Sequence, residues 1–231
     1  MILYEGQDAK AAVLHLHGFA SSVKGRKVSL LRELSKEYKV GLFAMDMDYQ
    51  SSTTSVCLKT LQLLIFGLFQ NHERVYLSAS SHGGYVALNY LRFFRPCVKG
   101  VFLFAPSYNT LELILKESKD YQSWLDGERE LEIFECETGL NLKIHKDFAK
   151  DIIQNGYEII TQGRVNFRND CKSFIRIYHG KLDAVIPYDL SEAFAKSANV
   201  ESLTLLDDNH ELSSSFTKVA REMFEIIKKE G

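Results

Sequence analysis

Residues Arg74 to Leu88 read RVYLSASSHGGYVAL. An apolar, β-rich run passes directly into Ala79-Ser80-Ser81-His82-Gly83-Gly84 and then into a helical pattern. A strand-to-helix turn this tight tolerates only small residues two before and two after its apex, because larger Cβ atoms collide. Ala79 and Gly83 flank Ser81 at that spacing. The apex residue is then forced into a strained conformation above the sheet. It stands at the N-terminus of the next helix, where amides and dipole favour negative charge. The pattern is that of a nucleophile elbow with Ser81 at its apex. Two alternatives stand beside it: a glycine-rich turn with an unreactive serine, and Ser80 as nucleophile, which lacks a comparably small residue two positions earlier.

Outward from the elbow, short apolar runs alternate with helical patterns. The runs are Ala11 to His15, Lys39 to Met45, Arg74 to Ser78, Val98 to Phe104, Phe174 to Tyr178 and Ser202 to Leu206. They are apolar along much of their length, as expected of strands covered on both faces. Val28, Leu31, Leu34 and Tyr38 mark one helix; Ser55 to Gln70, Gly84 to Phe94 and Ser213 to Lys229 mark others. The apolar content of Ser55 to Gln70 predicts deep burial. Strand–helix alternation implies an α/β fold, a doubly wound and mostly parallel sheet, within a single domain over 1–231. Tyr108 to Lys172 breaks the rhythm. It is longer than a crossover helix needs and predicts a lid or cap insertion over approximately 108–172, with a short helix at Asp147 to Asn155 stopped by Gly156. An elaborated crossover without a role is the alternative.

Leu14 to Ser22, LHLHGFASS, follows the first of these runs. With the elbow, this segment resembles the α/β-hydrolases, in particular small esterase-like and thioesterase-like serine hydrolases with an H-G-F turn. The resemblance spans Ala11 to Lys228 and places the lid after the sixth strand of the family's order. It implies an oxyanion hole made by the backbone N–H groups of Phe19 and His82. In Tyr178 to Tyr188, YHGKLDAVIPY, it implies Asp183 as the catalytic acid, with a turn aspartate as the alternative. In Leu205 to Leu212, LLDDNHEL, it implies His210 as the catalytic histidine. His210 is also the only histidine after both Ser81 and Asp183, in the nucleophile–acid–histidine order expected of such a fold. Asp207 and Asp208 are rival acids, set too close to His210 in sequence to face its Nδ1 easily.

The implied activity is hydrolysis of a carboxylic ester through a Ser81-Asp183-His210 triad and an acyl-enzyme, with no metal or organic cofactor. An acyl-thioesterase, a peptidase-like enzyme and an inactive binding module are the alternatives. The aromatics of the lid suggest that Tyr108 and Trp124 contact the substrate's acyl group. The partner is then a small-molecule ester or thioester.

Composition sets bounds on other classes. Lys plus Arg is 28 and Asp plus Glu is 30, a formal net charge of −2, which argues against a nucleic-acid binder. Val56 to Phe69 is too short and too polar to span a bilayer, and MILYEGQDAK lacks signal-peptide features, so no membrane association is expected. Cys57, Cys97, Cys136 and Cys171 show no metal-site spacing and read as reduced thiols in a cytoplasmic protein.

Overall fold

A computed structural model describes residues 2–6, 8–19, 21–48, 52–117, 121–128, 130–135, 140–159, 167 and 172–230. Seven strands form one sheet in the order β1-β3-β2-β4-β5-β8-β9. These are β1 (Ile2–Glu5), β2 (Ala11–Leu16), β3 (Gly41–Met45), β4 (Arg74–Ser80), β5 (Gly100–Phe104), β8 (Phe174–Gly180) and β9 (Ser202–Leu206). β1 pairs antiparallel with β3, and every other pairing in this sheet is parallel. Five of the strands are buried over most of their length, as their largely apolar runs predict.

The strand order explains where a site can form. From β2 the chain crosses through α1 (Arg26–Tyr38) to β3, then returns through α2 (Thr54–Asn71) to β4 on the other side of β2. The loops after β2 and β4 therefore diverge, leaving a crevice at the carboxyl ends of these strands. Two cores lie on opposite faces of the sheet. Leu14, Leu16, Leu77, Ala79, Leu103 and Ile177 pack with α2, with α3 (His82–Phe93) and with Phe194 of α7 (Tyr188–Ser197). Val13, Tyr76, Phe102, Phe104 and Tyr178 pack with α1 and α8 (Phe216–Lys229). Each large apolar side chain so buried contributes about 1.5–3 kcal/mol.

Residues 108–172 hold α4 (Thr110–Glu117), α5 (Tyr121–Asp126), an antiparallel pair β6 (Leu131–Glu135) and β7 (Leu140–Ile144), and α6 (Lys146–Asn155). Within this stretch, 118–120, 129, 136–139, 160–166 and 168–171 lie outside the described residues. Trp124, Ile144, Phe148, Ala149, Ile152, Tyr157 and Ile159 are buried and join the core around α2 and α3. The α6 helix ends as its sequence predicts, at Gly156 with φ 63°.

Two expectations are corrected. α2 is not deeply buried all round: Leu63 is 74% and Phe66 61% exposed, since only one stripe of a helix on a sheet can face the core. The cysteines are not all free. Cys57 is a buried free thiol, but Cys97 is disulfide-bonded. Pairing depends on proximity in space, which spacing along the chain does not encode. The argument from reduced thiols to a cytoplasmic location falls with it. Among the described residues no helix is long and apolar enough to cross a membrane.

Candidate active site

Ser81 sits between the end of β4 and the start of α3 with φ 50° and ψ −122°, a region L-residues rarely occupy. Three backbone hydrogen bonds pin it there. Its amide donates to Phe104 O at 3.0 Å, and its carbonyl accepts from Gly84 N at 2.9 Å and Ser107 N at 3.0 Å. The small residue at position 83 is required by a different neighbour than local sequence suggests. A Cβ on Gly83 would fall 2.3 Å from Leu16 O and 2.7 Å from His17 O, so the elbow packs directly on the loop after β2. A Cβ on Gly18 in that loop would lie 3.7 Å from Ser81 Oγ. Phe19 follows Gly18, and its ring stands edge-on to the His82 ring at 5.3 Å.

The Ser81 hydroxyl lies 3.1 Å from His210 Nε2, and His210 Nδ1 lies 2.7 Å from Asp183 Oδ2. A carboxylate only accepts, so Nδ1 carries the proton and Nε2 is left to accept from Ser81. His210 comes from the β9–α8 loop and Asp183 from the loop after β8. These loops touch because β8 ends in glycine: a Cβ on Gly180 would fall 2.3 Å from Asp208 O and 2.5 Å from Asn209 O.

The Asp183 side chain is 0% exposed. Burial alone would raise its pKa, yet hydrogen bonds from His179, His210 and the Ile186 amide hold it well below the usual carboxylate range. Its Oδ1 accepts from Val185 N and Ile186 N, both at 2.8 Å. The rival acids are occupied elsewhere. Asp208 accepts from the Ser214 and Ser215 amides ahead of α8, and Asp207 pairs with Lys181 at 3.0 Å. Ser80, the rival nucleophile, is buried and its Oγ has no hydrogen-bond partner among the described residues.

Three other histidines near the site, His15, His17 and His82, are buried. His17 Nδ1 donates to Gly18 O at 2.8 Å, and its Nε2 accepts from Met47 N at 3.0 Å. Burial, with smaller effects from His17 and Lys27, pushes His15 down to about 3, and burial does the same to His82. Both rings are therefore neutral at neutral pH. A cavity of about 400 Å³ opens on Ser81 and His210 and extends along the loop after β2 to the first residues of α1 and α8.

No family model matches the chain, and no curated protein sequence matches it. Solved structures do. A protein described as a hydrolase, from Agrobacterium vitis S4, matches with a TM-score of 0.79 at 22% identity, covering 97% of this chain and 91% of the other. Est1E from Butyrivibrio proteoclasticus, bound to ferulic acid, matches with a TM-score of 0.76 at 15% identity over 100% of this chain and 96% of its own. A monoacylglycerol lipase from Paleococcus ferrophilus matches with a TM-score of 0.76 at 14% identity over 100% of this chain and 99% of its own. The chain has the α/β-hydrolase fold.

Within this α/β-hydrolase fold, two residues expected at the substrate lie elsewhere. Tyr108 is 0% and Trp124 1% exposed. The Tyr108 hydroxyl is 2.7 Å from Ser191 Oγ, Trp124 Nε1 donates to Ile144 O at 2.7 Å, and neither residue lines the cavity at Ser81. Their polar ends are satisfied inside the protein, so they serve as core residues rather than pocket walls. Conversely, His179 and Ser191 escape sequence reasoning. The H-G-x-x-D stretch holds His179 in plain view, but nothing local to it says that its ring turns towards Asp183.

Proposed function

We propose that this protein hydrolyses a carboxylic ester through an acyl-enzyme on Ser81. The observation that carries the reading is the continuous line of hydrogen-bonding distances from Ser81 Oγ through His210 to Asp183. His210 takes the Ser81 proton as the hydroxyl attacks the ester carbonyl. Asp183 fixes the imidazole tautomer and stabilises the imidazolium. The amides of Phe19 and His82 hold the oxyanion, each contributing about 3 kcal/mol to barrier lowering. His210 then protonates the departing alcohol and activates water for deacylation. The chain acts as one catalytic domain, with the 108–172 segment as its cap. Structures of the same fold whose names are those of an esterase domain, from Rhodothermus marinus, and of a monoacylglycerol lipase support the ester class.

A fluorophosphonate probe tests the reading, followed by turnover of p-nitrophenyl esters and acyl-CoA thioesters. Labelling of the wild type but not of Ser81→Ala, with ester turnover falling about 10⁴-fold or more in that variant, is the expected result. Faster turnover of the thioesters would reassign the substrate to acyl-thioesters. An intact protein that takes no label and turns over neither class would leave a binding module.

A further inference from the structure

The cavity at Ser81 is lined by more cations than carboxylates where it meets the start of α1. Among the described residues, Arg26 and Lys27 line it against one carboxylate, Glu211. Lys27 Nζ lies 2.6 Å from Glu211, and its side chain is 18% exposed. Burial would raise the Glu211 pKa, but the Lys27 ammonium draws it below the ordinary value, so Glu211 is ionised and one of the two cations is balanced. The second is not: the Arg26 guanidinium reaches only Ser213 O, at 3.5 Å, among the described residues.

The backbone adds to this field. α1 begins at this end of the cavity, its N-cap is Gly25 with no side-chain cap, and its first turn carries no acidic residue. Its dipole therefore presents uncompensated positive charge. An independent observation lies deeper in the same cavity. Ser80 is 3% exposed, lines the cavity and has an Oγ without a hydrogen-bond partner among the described residues. A buried hydroxyl left unpaired costs about 1–3 kcal/mol, which a ligand acceptor would recover.

We propose that the substrate carries an anionic group, a carboxylate or a phosphate, seated between Arg26, Lys27 and the start of α1. This rests on the reading of Ser81 and His210 given above. The group belongs to the alcohol half of the ester. His210, which delivers a proton to the departing alcohol's oxygen, lines the cavity beside Glu211, the partner of Lys27, and that contiguity assigns the anionic group to this half. Planar guanidinium and helix amides suit both oxyanions, and the donor set alone makes the class.

The test compares butyrate esters of three small alcohols: ethylene glycol, glycolate and 2-hydroxyethyl phosphate. The expected result is a kcat/KM at least tenfold higher for one or both anionic esters than for the neutral one. The advantage should lie mainly in KM and shrink as salt is added. The two anionic arms separate carboxylate from phosphate. Arg26→Gln, an exposed position that leaves the fold alone, should cut the anionic-to-neutral ratio several-fold, and Ser80→Ala should cut it too. Lys27→Met should cut it further. Equal or better turnover of the neutral ester by a protein whose Ser81 takes a fluorophosphonate label overturns the anionic subsite and leaves the hydrolase reading standing. Failure to label Ser81 together with no turnover of any ester removes the hydrolase reading, and the subsite with it.

Discussion

His179 Nε2 lies 3.0 Å from Asp183 Oδ2, the same carboxylate oxygen that faces His210 Nδ1 at 2.7 Å. Nε2 also lies 2.9 Å from Ile186 O, so both of its neighbours are acceptors and it must carry a proton. On the other side of the ring, Nδ1 lies 2.6 Å from Ser191 Oγ, which lies 2.7 Å from the Tyr108 hydroxyl. When the ring holds one proton, Ser191 donates to Nδ1 and Tyr108 donates to Ser191. Every donor then points towards Asp183, and such chains strengthen bond by bond.

Removing the donor at His179 should make Asp183 more basic and less firmly oriented. His179→Asn is expected to lower kcat about tenfold to a hundredfold at similar KM, the usual range for supporting partners of this kind. It should also move the acid limb of the kcat/KM profile to higher pH, because a more basic carboxylate holds the His210 proton more tightly. His179→Gln, which restores an N–H near the Nε2 position, should recover much of the loss, and Tyr108→Phe should show a smaller shift in the same direction. Unchanged pH profiles in all three would make the His179 chain a packing feature only.

Ser81 stores backbone strain at φ 50° and ψ −122°. Glycine occupies that region without penalty, so Ser81→Gly should be inactive yet more stable than Ser81→Ala by about 1 kcal/mol. Calorimetry would register this as a melting temperature about 2–4 °C higher. Equal melting temperatures for the two variants would mean that the strain is absent in solution.

Gly180 and Gly67 should respond oppositely to alanine. At Gly180 the added Cβ meets Asp208 O at 2.3 Å, pushing apart the loops that carry Asp183 and His210. Gly180→Ala should cost about 1–3 kcal/mol of stability and lower kcat more than it raises KM. Gly67, inside α2, has nothing within 4 Å of such a Cβ, and Gly67→Ala should stabilise by up to about 1 kcal/mol. Urea denaturation together with steady-state kinetics separates the two effects.

Glu158 links stability to pH. Burial raises its carboxyl to about 7, although the Leu111 amide donates to Oε1 at 2.6 Å and opposes the shift. Its Oε2 is buried without a partner among the described residues. The folded chain therefore holds a proton that the unfolded chain releases near its ordinary value, so this stabilisation is full below about pH 4.5 and fades as pH rises towards 7. The loss is roughly 3 kcal/mol at most. Glu158→Gln should flatten the stability profile between these limits, and an unaltered profile would show that Glu158 ionises freely in the folded protein.

Much of the architecture is legible in the chain because it follows from local rules. Periodicity in apolar residues marks the strands and helices, and the steric demand of a strand-to-helix turn marks Ser81. Chain order points to His210 as its companion, and the resemblance to the α/β-hydrolases adds Asp183. Segments with weaker periodicity were less readable: the β6–β7 pair is charged and short, and α4 and α5 carry only a turn or two each.

What the sequence alone determined is therefore the layout: an alternating α/β chain with a hydroxyl at one tight turn and an imidazole and a carboxylate placed later. Tertiary structure alone decided the partners. Tyr108 and Trp124 look like pocket aromatics and became core, His179 looks like the end of a strand and became a support for Asp183, and Cys97 looks free and is bonded. Helix and strand formation depends on neighbours within a few residues. Hydrogen-bond partners, burial and disulfides depend on residues brought close in space from anywhere along the chain.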